Sequence, residues 1–397
     1  MQIINIIQIV FLLALGQATL YIFVFAFAGL FYKQPPYPAV TRFRKIAVMI
    51  PGYKEDEVII EVAKDALLQD YPPEYYDVVI IADSFKNDTL VKLRALPLKV
   101  IEVVFEKSTK AKALNKAMEQ LPEDYEIALV LDADNLMERG FLGKINALFE
   151  KDFQVVQGHR VAKNMNNSMA VLDAASEEIN NHIFRKGHRV LGLSSAIIGS
   201  GMAFRYRFFK ELMSDVKAVG GIDKELELKM LKDGYKIEFL DDACVLDEKV
   251  QQAEVFHNQR KRWLSAQIIY FRKSFSDSLK ELIISGNIDY FDKSLQMIQP
   301  PRVLLLGSVI LLTAVFIVYN LLTDNILTFN YLWLLLFVTC VMVFVFSVPR
   351  SFYNATTLKA LASLPGGMWL MFKSLLKVKG ANKQFIHTRH TSSGKLK

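Results

Sequence analysis

The sequence predicts an α/β domain built on a mostly parallel sheet and held between membrane-spanning helices. Three observations carry this expectation. Strand-like apolar runs alternate with helix-spaced segments over residues 46–131, the pattern of a sheet covered on both faces. Residues 1–32 contain no charged side chain and exceed the ~20 residues that span a bilayer. Residues 303–323 and 327–348 form two more uncharged runs of spanning length, parted only by a short break at Asp324-Asn325. The 52% hydrophobic content and mean hydropathy of +0.22 are concentrated at these two ends of the 397-residue chain.

The N-terminal run has no basic flank before it and no small-residue cleavage pattern, so it reads as an uncleaved helix rather than a signal peptide. Lys33, Arg42, Arg44 and Lys45 follow it, Arg302 precedes the second run, and Arg350 and Lys359 follow the third. The turn between the second and third runs has no Lys or Arg. The positive-inside bias therefore places the central domain and the C-terminal tail in the cytoplasm. The tail from Lys373 onward holds seven Lys and Arg and no acid; it serves either as a positive-inside anchor or as a contact for anionic lipid or phosphate. The basic residues sit beside the membrane runs rather than on a separate patch, which speaks against a nucleic-acid partner. Cys340 lies in a membrane run and Cys244 in the central domain, so the two predict no disulfide and build no thiolate metal site.

Within the domain, residues 46–50 read as a buried strand stopped by Pro51, residues 58–68 as a helix and residues 78–81 as a second strand. Residues 99–105 read as a third strand, 112–121 as a helix and 127–131 as a fourth strand ending in Asp132. Ligands of such sheets bind at the carboxyl ends of the strands, where Tyr53, Asp83, Asp132 and Asp134 fall. Further on, 165–190 reads as an amphipathic helix, 203–207 as a short strand and 225–232 as a helix. Residues 256–275 and 279–298 are expected along the membrane surface, and 358–376, broken by Pro365-Gly366-Gly367, reads as interfacial or re-entrant. The expected organisation is a spanning helix at 1–32, a cytoplasmic domain at 33–265, and amphipathic helices at 266–302. A spanning hairpin at 303–349 and an interfacial segment with a basic tail at 350–397 follow.

The strongest chemical feature is Leu129-Val-Leu-Asp-Ala-Asp-Asn135. Two carboxylates one residue apart, just past a buried strand, can share one hard cation such as Mg²⁺ or Mn²⁺ together with substrate phosphates. Solvated acids in a turn give the same letters, so the pair needs company. That company comes in order: Ile46-Ala-Val-Met-Ile-Pro-Gly-Tyr-Lys-Glu55, Ile80-Ile-Ala-Asp-Ser-Phe-Lys-Asn-Asp-Thr89, Lys110-Ala-Lys-Ala-Leu-Asn115, Gly199-Ser-Gly-Met-Ala-Phe-Arg205, Asp223-Lys-Glu-Leu-Glu227 and Gln259-Arg-Lys-Arg-Trp263.

With this ordered set the sequence resembles the membrane-bound family 2 glycosyltransferases, in the branch of cellulose, chitin and hyaluronan synthases, over about residues 45–267. The resemblance implies a GT-A (Rossmann-like) domain with flanking transmembrane helices in a bacterial inner membrane. It further implies an inverting transfer of a hexosyl or N-acetylhexosaminyl unit from a UDP-sugar, with Mg²⁺ or Mn²⁺, to a polysaccharide or lipid acceptor. In that likeness Asp83 accepts from the uracil, Pro51 and Tyr53 shape the nucleoside pocket, and Lys112 approaches base or phosphates. Asp132 and Asp134 flank diphosphate and metal, Glu225 is the catalytic carboxylate, and Gln259, Arg262 and Trp263 match the Gln-x-x-Arg-Trp signature near diphosphate and acceptor.

The alternatives are a solvated helix-start acid for Glu225 or Glu227 and membrane-interface packing for Trp263. Lys54, Lys224 and Ala82 depart from the family pattern and bear on donor preference. Phe385-Ile-His-Thr-Arg-His390 partly resembles the family's gating loops; the alternative is an unstructured basic tail. Three spans are few for a polymer pore, unless chains pair as a homo-oligomer or 358–376 contributes. A non-catalytic assembly subunit of an envelope-polysaccharide machine is the alternative from another class.

Overall fold

The computed structural model describes residues 2–216, 218, 220–323 and 327–377. In chain order these form α1 (Gln2–Gly29), β1 (Ile46–Tyr53), α2 (Ile59–Ala66), β2 (Tyr76–Asp83), α3 (Asn87–Arg94), β3 (Lys99–Val103), α4 (Lys110–Gln120), β4 (Ile127–Val130) and β5 (Leu136–Met137). Next come α5 (Phe141–Leu148), β6 (Val155–Ala162), α6 (Ser168–Asn181), a π-helical stretch His182–Gly187, α7 (His188–Val190), β7 (Met202–Arg205), α8 (Tyr206–Met213), α9 (Ile222–Lys232) and β8 (Ile237–Asp247). The chain continues with α10 (Ala253–Ser285), α11 (Ile288–Ile298), α12 (Arg302–Leu322), α13 (Leu327–Ser347), α14 (Ala355–Leu361) and α15 (Leu364–Leu376).

Eight strands make one mixed sheet in the order β3-β2-β1-β4-β7-β6-β8-β5. The first half is parallel: β1 lies between β2 and β4, with Tyr53 in register with Asp83. Its strands are apolar throughout, as strands buried on both faces must be, and Ile46, Met49 and Ile50 are fully buried. The second half, at and beyond β7, introduces the antiparallel pairs β4–β7, β6–β7 and β5–β8, so the sheet is less uniformly parallel than its first half predicts. Two apolar layers cover it, one including α4, α8 and α9, the other α2 and α5.

Helices α1 and α12 and the Phe329–Ser347 stretch of α13 are long and apolar enough to cross a membrane. They pack together through Ile22, Val309, Trp333 and Val343. Helix α1 also packs on the π-helical stretch. A Cβ on Gly187 would fall 2.1 Å from the Phe25 carbonyl oxygen, so only glycine allows this approach. The expected boundary at 265/266 falls inside α10, a single 33-residue helix. The broken apolar segment at 358–376 forms the end of α14 and all of α15. The expected gating segment Phe385–His390 and most of the basic tail lie outside the described residues.

Candidate functional site

The carboxyl ends of β1, β2 and β4 open on one cavity of about 1320 Å³. Both β1 and β2 run straight into a residue in the left-handed region, Lys54 (φ 55°) and Ser84 (φ 61°). Side chains other than glycine adopt this at a cost, and such residues cluster at functional sites. The Lys54 amide donates to the Asp83 carbonyl at 3.0 Å, which ties the two strand ends together. Pro51, Tyr53 and Asp83 line the cavity. Asp83 is almost fully buried, and its carboxylate accepts from the Ser84 hydroxyl at 2.9 Å.

Asp132 and Asp134 also line the cavity. Their loop is shaped from behind by the Gly199-Ser200-Gly201 turn. Gly199 (φ +81°) and Gly201 (φ +64°) take left-handed conformations that favour glycine. The turn places the buried Ser200 Oγ to accept from the Asp132 amide at 3.0 Å, while the hydroxyl itself donates to Asn135. The Asp134 carboxylate accepts from Asn135 Nδ2 at 3.2 Å and from the Glu248 amide at 3.3 Å.

Lys110 Nζ donates to Asp132 and, at 2.6 Å, to the Gly199 carbonyl. Lys112, the lysine expected here, is exposed and donates to the Lys107 carbonyl at 2.9 Å. The reason is helical: residues two apart face opposite ways. The Thr109 hydroxyl caps α4 at the Lys112 amide, and this phase turns Lys110 inward.

The same rule governs α9. Asp223, Lys224 and Glu227 line the cavity, whereas Glu225 is not on its wall and accepts from the Tyr270 hydroxyl at 2.9 Å. Glu227 is buried against Lys293 of α11 at 2.5 Å; burial pushes its carboxyl up and the Lys293 ammonium down. On α10, Gln259, Arg262 and Trp263 fall on one face at the i, i+3, i+4 spacing and line the cavity together. Burial pushes the Arg262 guanidinium down. The Arg260 guanidinium lies 4.3 Å from the Trp263 ring centre and pairs with Asp173 of α6.

A buried charge network underlies the cavity, and the sequence reading missed it. Arg160 of β6 meets Glu177 of α6 at 2.7 Å, Lys249 meets Asp247 at 2.8 Å, and Arg185 stands 3.7 Å from Glu177. Burial opposes charging Glu177, but Arg160, Lys249 and Arg185 outweigh it and hold the carboxyl well below the usual range. A signal existed: Arg160 stands in Val-Val-Gln-Gly-His-Arg-Val-Ala, an apolar run with an inward charge.

A mixed sheet of this order, with acids at the carboxyl ends of its parallel strands, is the Rossmann-like GT-A fold. The chain belongs to the family described as Glycosyltransferase like family 2, whose model matches residues 44–266. It is 26% identical over 321 residues to the Bacillus subtilis (strain 168) protein named "Probable glycosyltransferase YdaM", covering 77% of this chain and 73% of that protein. Its fold resembles the mannosyltransferase PcManGT of Pyrobaculum calidifontis, solved with GDP-Man and Mn²⁺, at a TM-score of 0.58 and 18% identity, covering 95% of this chain and 98% of the other. The glucosyl-3-phosphoglycerate synthase of Mycobacterium tuberculosis, solved with Mn²⁺, UDP and phosphoglyceric acid, gives a TM-score of 0.42 at 14% identity, covering 60% and 84%.

Proposed function

We propose that this glycosyltransferase works at the cytoplasmic face of a bacterial inner membrane. It transfers a sugar with inversion from a UDP-sugar to a polysaccharide or lipid acceptor. The observation that carries the reading is the continuity of the cavity. One wall is made by the carboxyl ends of β1, β2 and β4, and another by Ile22, Leu306 and Phe344 on the three apolar helices. A water-soluble donor and a membrane-borne acceptor thus meet in one space.

In this reading Asp83 accepts from the base, Pro51 and Tyr53 bound the nucleoside, and Lys110, Gln259 and Arg262 face the diphosphate. The planar Arg262 fork suits diphosphate oxygens, and Trp263 offers a flat face to a sugar ring. The donor set fits Mg²⁺ or Mn²⁺: Asp132 and Asp134 are hard oxygen ligands on the cavity wall, and no third acid, His or Cys gathers with them among the described residues. Such ions take one or two carboxylates with phosphates and water completing the shell. Bound there, the cation neutralises charge on the departing diphosphate. The mannosyltransferase of like fold, solved with GDP-Man and Mn²⁺, agrees with this choice.

Inversion at a hydroxyl acceptor needs a base in line with the leaving group. The first turn of α9 offers Glu225, implied by the resemblance, and Asp223, which is on the cavity wall. Full-length protein in lipid nanodiscs, given Mn²⁺ or Mg²⁺ and a panel of UDP-sugars, tests the reading through UDP release and product size. Asp132→Ala is expected to abolish release. Whichever of Glu225→Gln and Asp223→Asn lowers kcat by ~10²-fold or more identifies the base. Unchanged turnover in both would remove the base from α9. No release with any donor, with and without lipid acceptor, would overturn the enzyme reading.

A further inference from the structure

The turn after β2 is anchored on both sides of one strained residue. Asp83 ends the strand, and its carbonyl accepts from the Lys54 amide at 3.0 Å. Two residues on, Phe85 packs into the apolar layer that includes α2 and α5. It also closes over Gly52 of β1, where a Cβ would fall 2.8 Å from the Phe85 ring. The next amide, that of Lys86, donates to Asp56 at 2.8 Å. Ser84 bridges these fixed neighbours in the left-handed region, at φ 61°. Surroundings that over-determine a residue can hold it there at a cost. Glycine would make the same turn without strain, so what serine adds is its hydroxyl.

That hydroxyl acts on Asp83. It donates to Asp83 Oδ1 at 2.9 Å, a charge-assisted bond stronger than one between neutral groups. Oδ2 bonds to nothing among the described residues, and it is not one of the fully enclosed side-chain atoms that lack partners. It is therefore the oxygen left to the cavity, which Asp83 lines together with Gly52 and Ala133. A carboxylate with both oxygens free can take two parallel N–H donors at once. With one oxygen engaged by serine, Asp83 offers a place for one.

Nucleobases differ on this point. Uracil presents a single N–H between two carbonyls, whereas guanine sets its ring N–H beside an amino group, two donors abreast. A protein of like fold was solved with GDP-Man, so the fold alone leaves the base open. We infer that Ser84 is a specificity-determining residue: by occupying Oδ1 it fits the Asp83 subsite to uracil and sets it against guanine. The second guanine donor would meet an oxygen already bonded, and a site of fixed hydrogen-bonding capacity rejects a ligand group that it leaves unpaired. This step rests on the donor reading proposed above, in which Asp83 accepts from the base, and names the residue that selects that base.

The test measures UDP and GDP dissociation constants by calorimetry on full-length protein in phosphatidylcholine nanodiscs with Mn²⁺. The two probes share ribose and diphosphate, so their ratio isolates the base. The unsubstituted protein is expected to hold UDP over GDP by ~10-fold or more, the range of one unmade buried hydrogen bond. Ser84→Ala frees Oδ1 and should tighten GDP by ~5-fold or more while leaving UDP within ~2-fold. Ser84→Gly should shift the ratio in the same direction. It also relieves the left-handed backbone, so a folding defect in the alanine variant cannot hide the effect. A preference for GDP, or no preference, in the unsubstituted protein would overturn the inference. Binding of both nucleotides with an unchanged ratio in both variants would overturn the role of Ser84 and leave the donor reading standing. Failure to bind either nucleotide would overturn the donor reading itself, and the inference with it.

Discussion

Two buried polar clusters in this molecule are built from similar residues and differ in how completely they are closed. Between the apolar helices, Gln8 and Asn320 exchange two hydrogen bonds at 3.1 Å, the Trp333 indole donates to Gln8 at 3.0 Å, and Asn320 also reaches Asn330 at 3.0 Å. Each side chain spends its capacity on the others, as an apolar surrounding demands. At the cavity end, Gln259, Gln299 and Arg302 keep polar atoms without partners among the described residues. A closed cluster fixes how helices meet, whereas an open one leaves polar capacity unspent in the interior. The charge network under the cavity is intermediate: its carboxylates are paired, but cations outnumber them.

The sharpest way to break this distinction is inside the paired part. Glu177→Gln removes the carboxylate that holds Arg160, Arg185 and Lys249 together. Breaking a buried pair from one side costs about 3–5 kcal/mol, so a fall of that order in denaturation free energy is expected; a change below ~1 kcal/mol would mean that the network is solvated.

Next in size is a pH effect. His159 is buried, which opposes its charge, but Asp241 at 3.1 Å and Glu178 at 3.1 Å outweigh burial and hold its pKa up to about 9. Lys186, paired with Asp241 at 2.7 Å, is the cation beside them. A raised folded pKa contributes stability that is full below the unfolded value of about 6.5 and is lost as pH rises toward about 9. The loss is about 3 kcal/mol across that window, read from denaturation midpoints between pH 6 and 10. His159→Gln should flatten the profile, and a persistent slope would assign it elsewhere.

The smallest effect is the most diagnostic. Gln8→Leu strands Asn320 and the Trp333 indole and should cost about 1–3 kcal/mol with UDP binding unchanged. Gln259→Leu strands no partner at Oε1 and should shift stability by less than ~0.5 kcal/mol while lowering transfer. The reverse order of stabilities would erase the contrast between closed and open clusters.

How much was legible follows the same division. The parallel half of the sheet was readable because its strands are continuous apolar runs, β2 ending on Asp83 and β4 stopping two residues before Asp132. On α10 the spacing of Gln259, Arg262 and Trp263 also placed them on one face. The spacing was equally available on α4 and α9, where resemblance pointed to Lys112 and Glu225, but which face of a helix turns inward depends on its packing. There Lys110 and Asp223 took the cavity. Strands β6 and β8 went unread because charges interrupt their apolar pattern, and those charges are satisfied by residues far along the chain, as Arg160 is by Glu177 and Asp247.

By itself, then, the sequence determined the strand–helix alternation, the three apolar helices and the acids at the strand ends, because each depends on residues adjacent or one turn apart. Only the tertiary structure decided which lysine meets Asp132, which acid of α9 reaches the cavity, and that Gln259, Gln299 and Arg302 line the same cavity. Those outcomes depend on helix phase and on cancellation of charge between distant segments. Both are set when the elements pack and the low-dielectric interior leaves each buried group to find a partner or wait for one.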